Sequence, residues 1–386
     1  MNLLLLPLCL FVLLMAPAVG VANNQQISRL TIVCALLLLV KKVHAFKWEL
    51  HHKLFAAWIV WAAIGACLSE YPAMAFFGWY PYRGEGLLTW LVILCFAVVY
   101  WQTYQTLYPL AWTCLGMFLV LIVGHVWIVK CANPALDPEY AKNYFQNFFL
   151  PPVAIASFAC QASALFSPIF AILGGIVLVD CASRAGLVAW GVFTAFSAWR
   201  AYKGRITPKI ALWVMGLTVL TLMTAPIWGK WAKIDSKLAK IPSVTSQPIG
   251  ARSQWCLQSE FLMHQLPLTG YGLDTLSEYL TPPDGKEWKN KTHFYPDRTH
   301  CWMYDLILCT GWLGYTMILL SVGYALAVAI KFPSQQNTIC MCMIGSYIVF
   351  TFANPAGLLS QILTVIALLG IQKPLTAQAV CAKLNE

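Results

Sequence analysis

One polar stretch of this sequence gathers the residues best suited to chemistry. Arg252 and Trp255 belong to ARSQWCLQSEFLMHQLPLTGYG, and Asp297, Arg298 and His300 belong to FYPDRTHCWMYDLILCTGWLGY, which leads into a long apolar run. Guanidinium forks bind phosphate oxygens in pairs and stay charged at every relevant pH. An imidazole beside them can take the proton of an attacking hydroxyl, and Asp297 can orient Arg298. Fixed cations next to a titratable base, at a lipid surface, suit an anionic lipid-linked substrate.

Two arginines elsewhere extend the set. Arg184 follows Ser183 in DCASRAGLVAW, where a helix start would add free N–H groups for the same anion. Arg83 stands among aromatics and glycines in FFGWYPYRGEGLL. Each has a plainer reading: Trp79, Tyr80 and Tyr82 fit an interfacial aromatic belt, and Arg184 fits a snorkelling helix end. Trp255 could stack on a sugar face or simply anchor an amphipathic helix that opens at Arg252. PLTGYG, residues 267–272, reads as a rigid turn.

The elements that must position these residues are membrane helices. The chain is 60% hydrophobic and 10% charged, with mean hydropathy +0.67, far from a soluble balance. About twelve apolar runs recur, near residues 3–22, 28–41, 54–69, 86–104, 108–129, 147–162, 166–181, 186–200, 210–228, 301–330, 337–353 and 355–371. Most are long enough to cross a hydrocarbon core of roughly 30 Å, and only helices satisfy their own backbone there. The expectation is an all-α, polytopic single membrane domain over residues 1–386, with residues 3–22 either a first span or a signal peptide.

Basic residues fix the expected orientation. With both termini inside, Lys41, Lys42, Lys47 and Lys53, then Arg200, Lys203, Arg205 and Lys209, all fall in cytoplasmic loops. Residues 229–300 then form one long extracytoplasmic loop carrying part of the site. That loop is itself basic, so part of the net charge of +10 faces outward, where it could attract phosphates or anionic headgroups. Nucleic acid is excluded as a partner on topological grounds. Fourteen cysteines read as small hydrophobes rather than metal ligands; Cys340 and Cys342 are too close and too isolated for a zinc knuckle. A Cys256–Cys301 bridge is open to the chain, but unpaired thiols fit better. Sparse mid-span charge speaks against a transporter or pump.

In order and placement these motifs resemble the O-antigen ligase and polymerase superfamily. Four stretches carry the likeness: Gly78 to Leu87, Ser183–Arg184, Arg252 and Trp255 ahead of Pro267–Gly272, and Asp297–His300 followed by Thr310–Gly314. Together they cover roughly residues 70–330. The resemblance implies a GT-C-like helical bundle in a bacterial inner membrane with its active site facing the periplasm. It implies a metal-independent glycosyltransferase with no cofactor, using an undecaprenyl-pyrophosphate-linked glycan donor. The acceptor would be lipid A-core, another glycan or a protein, covering ligase, repeat-unit polymerase and protein O-oligosaccharyltransferase. His300 would be the base, Arg252 and Arg184 the pyrophosphate clamp, with Arg298, Arg83, Trp255 and Asp297 binding substrate. The family's histidine is followed by Asn, whereas Cys301 stands here, exchanging an amide for a weak thiol donor. A lipid-linked oligosaccharide flippase and a non-catalytic membrane paralogue are the competing classes.

Overall fold

The structure, a computed structural model, describes residues 46–78, 86–130, 152–163, 168–180, 184–201, 259, 262–280, 299, 301–351 and 358–373. Among them every regular element is a helix. In chain order these are α1 (Leu50–Leu68), α2 (Pro72–Phe77), α3 (Leu87–Tyr104), α4 (Tyr108–Lys130), α5 (Pro152–Ala162), α6 (Pro168–Asp180), α7 (Arg184–Ala201), α8 (Leu276–Leu280), α9 (Trp302–Lys331), α10 (Gln335–Thr351) and α11 (Leu358–Gly370). Helices occupy nine of the apolar runs. The runs at 3–22, 28–41 and 210–228 lie outside the described residues.

Local chemistry sets the helix ends. Pro72, Pro152 and Pro168 each stand at the first helical position, where the missing N–H has no helical partner and the fixed φ already suits a helix. Gln105, at φ 55°, ends α3 in the left-handed region. Glu49 opens α1 through a reciprocal capping box with His52.

By length and composition α1, α3 and α9, with 19, 18 and 30 residues, can cross a membrane. Their outward faces are as apolar as their inward ones: Val60 is 62% exposed and Leu320 56%. A water-facing helix would put charge there, so these surfaces suit lipid and mark the protein as membrane-associated. The inward faces form one core around Trp58, Phe96, Tyr100, Phe118, Phe158 and Phe350. α9 runs along α1, α10 is held between α7 and α11, and α11 closes against α3. Cys114, Cys160, Cys340 and Cys342 are buried within this packing and form no disulfide, as small hydrophobes should be.

Candidate functional site

The site is organised by a break in α9. Gly311 takes φ 69° and ψ 174°, so the helix is two segments joined at one residue. The carbonyls just before the break lose their normal acceptor role in the next turn. Three outside donors take them: the Tyr271 N–H bonds Leu308 O at 2.8 Å and the Gly272 N–H bonds Cys309 O at 3.1 Å, while the Trp61 indole N–H bonds Thr310 O at 2.8 Å. Irregular backbone in an apolar interior survives only where protein replaces the lost partners. Here the PLTGYG turn does so.

That turn can approach because of its glycines and those opposite. Gly270 has φ 75°, and its N–H bonds Pro267 O at 2.9 Å, closing the turn. A Cβ on Gly270 would stand 2.5 Å from the Cys309 carbonyl carbon, and one on Gly311 would collide with Leu268 O. The turn is further tied to the end of α1 by the Ser69 hydroxyl, which donates to Tyr271 O at 2.6 Å. Two stretches about forty residues apart in sequence are thereby fastened main chain to main chain.

Thr299 is pinned beside this joint. Thr299 is 3% exposed. The Asp305 carboxylate accepts its N–H and stands 2.8 Å from its hydroxyl. The same hydroxyl accepts the Cys301 N–H at 3.2 Å. Asp305 belongs to the short first segment of α9, so the pin ties Thr299 to the helix start. Cys301, just outside that start, has extended backbone and a free thiol. Arg83, Arg252, Trp255, Asp297, Arg298 and His300 lie outside the described residues. Arg184 begins α7, as expected from the sequence.

Beside the pin a cavity of about 130 Å³ enters the bundle, with Trp302, Asp305 and Asp274 among its walls. Nearby, Tyr71, Tyr279 and Tyr271 form an aromatic chain with ring centres 5.7 and 4.3 Å apart. Burial and the Glu70 carboxylate both push the Tyr279 hydroxyl well above the usual tyrosine range, and Tyr271 is raised for the same reasons. Both therefore remain neutral hydrogen-bonding groups at working pH. Tyr271 is buried and donates its hydroxyl to Leu262 O at 3.0 Å, which leaves Tyr71 as the exposed aromatic face of the group. Sequence reasoning missed this group and the Thr299–Asp305 pin. The only sequence signal for either was a tyrosine eight residues after another, and an aspartate six residues after Thr299.

Among the described residues no three His, Cys, Asp or Glu side chains gather closely enough to hold a metal ion. Compared with protein-family models and with curated proteins, the chain matches none.

Proposed function

We propose that this protein is a metal-independent glycosyltransferase of the O-antigen ligase and polymerase type. In this reading it moves a glycan from an undecaprenyl-pyrophosphate carrier to an acceptor at the outer face of a bacterial inner membrane. The acceptor hydroxyl attacks the anomeric carbon, its proton passes to the His300 imidazole, and the bond from that carbon to the pyrophosphate oxygen breaks. The carrier pyrophosphate leaves with the electron pair, and its growing charge is met by Arg252 and Arg184, with Arg298 and Arg83 in support. Asp297 orients Arg298, and Trp255 stacks on the donor sugar.

The observation that supports this reading best is the joint between residues 267–272 and 308–310, with the Thr299–Asp305 pin beside it. It gathers two of the four motif stretches and fixes the residue between Arg298 and His300. A base and a clamp must keep their separation through the reaction, and such a frame can hold it. Thr299 and Asp305 are then positioning residues.

The test is transfer by purified protein. Arg252→Ala and His300→Ala should each lower transfer by about 10²–10³-fold, with donor binding retained in His300→Ala. Thr299→Val should lower kcat by at least about tenfold with KM for donor little changed, and Thr299→Ser should restore it. Near wild-type rates in both Arg252→Ala and His300→Ala would overturn the reading.

A further inference from the structure

The cavity beside the pin continues inward between α1, α3, α9, α10 and α11. Phe55, Trp58 and Trp90 form one wall; Ile318, Val322 and Ile344 line another part. Its 130 Å³ corresponds to about ten water-sized units, the bulk of a medium-length hydrocarbon chain. These apolar side chains hold water poorly.

Two residues of the lining each carry a buried polar atom with no hydrogen-bond partner. Gln361 is 3% exposed, and its Oε1 is buried and unpaired; the Trp58 indole N–H, on a side chain 1% exposed, is also unpaired. The neighbours of each show how unusual this is. Along the same turn of α11, the Ser360 hydroxyl donates to Gln161 Oε1 at 2.8 Å, and Gln161 Nε2 donates to Thr364 Oγ1 at 2.6 Å. Trp61, Trp101 and Trp190 each donate to a carbonyl at 2.8 Å. A buried amide left unpaired is costly, and a ligand hydroxyl that pairs it offsets part of that cost.

We propose that this cavity is a binding site for an uncharged medium-chain lipid bearing a hydroxyl group. The chain lies against Phe55, Trp58 and Trp90, and the hydroxyl meets Gln361. A hydroxyl both donates and accepts, so it can donate to the Gln361 carbonyl while receiving an N–H. Gln361 stands one turn inside the end of α11 nearest the pin. The ligand's polar end therefore sits at the Asp305 side and its tail runs toward Leu368. The site stands on binding geometry alone and does not depend on glycosyl transfer.

The test uses the full chain in phospholipid nanodiscs and a photoreactive medium-chain alcohol, with crosslinked residues read by mass spectrometry. Labelling is expected on the cavity walls, at Val322, Ile344 or Leu368. Unlabelled decanol should compete about tenfold better than decane, the ratio expected from one recovered buried hydrogen bond. Gln361→Leu should abolish that preference and keep the labelling. Its ligand-free melting temperature should hold or rise, because an unpaired amide has been removed. Val322→Trp should block labelling by filling the space. Labelling confined to outward residues such as Val60 and Leu320, or an alcohol preference that survives in Gln361→Leu, would overturn the site.

Discussion

The two ends of the bundle are held together by different atoms. At the end near the pin, main chain meets main chain: the 267–272 turn donates to the open carbonyls of α9. At the opposite end, side chains do the joining. The Asn337 amide donates to Phe332 O at 2.9 Å and Gln372 O at 3.0 Å, and its carbonyl accepts the Gln372 N–H at 3.2 Å. The Gln336 amide donates to Gly370 O at 2.8 Å. Outside these amides, Lys373 reaches Glu49 at 3.6 Å and the Tyr324 hydroxyl at 3.1 Å. The helices there are unbroken, and polar side chains cap them locally. The other end instead breaks a helix and depends on a turn far away in sequence. A helix bundle needs only the first kind of end to be stable; the second adds a shaped surface.

Substitutions should expose the difference in order of size. Gly311→Ala should be the most damaging, because a Cβ at positive φ meets the Leu268 carbonyl. Strain and up to three orphaned carbonyls should together cost about 3 kcal/mol or more, visible as a lower melting temperature with residues 267–272 becoming open to proteolysis. If Gly311→Ala melts like wild type, the main-chain joint is not what holds this end. Asn337→Ala should cost about 2 kcal/mol, since it strips partners from two carbonyls and one N–H. Transfer measured below the melting transition should be unchanged. A selective loss of transfer in Asn337→Ala would erase the distinction between the ends. Lys373→Met should be silent in melting temperature, because the pair with Glu49 is solvent-exposed and screened.

The helices were legible because hydropathy reports them directly, and runs such as 86–104 and 301–330 became α3 and α9 within a few residues. The break at Gly311 was not. Thr310–Gly314 is as apolar as its surroundings, so nothing in hydropathy separates a kinked helix from a straight one. PLTGYG could be read as a turn from its proline and glycines, but its docking partner could not. Those bonds are made by backbone atoms that every residue carries. Asp305 stood out only as a charge inside an apolar run, and its bond to Thr299 depends on how the chain bends into the helix. The cavity was invisible for a similar reason. Its walls come from six helices whose pairing no single stretch encodes.

The joint at Gly311 also bears on how this protein can change over generations. Contacts made by peptide groups are indifferent to most side chains, as Leu268, 76% exposed at the centre of the turn, illustrates. Only the glycines are held to one letter by the contact itself. Descendants could therefore rewrite much of the turn and of the helix facing it while keeping the same shape. Kinship through this region would survive in the fold long after it had faded from the spelling.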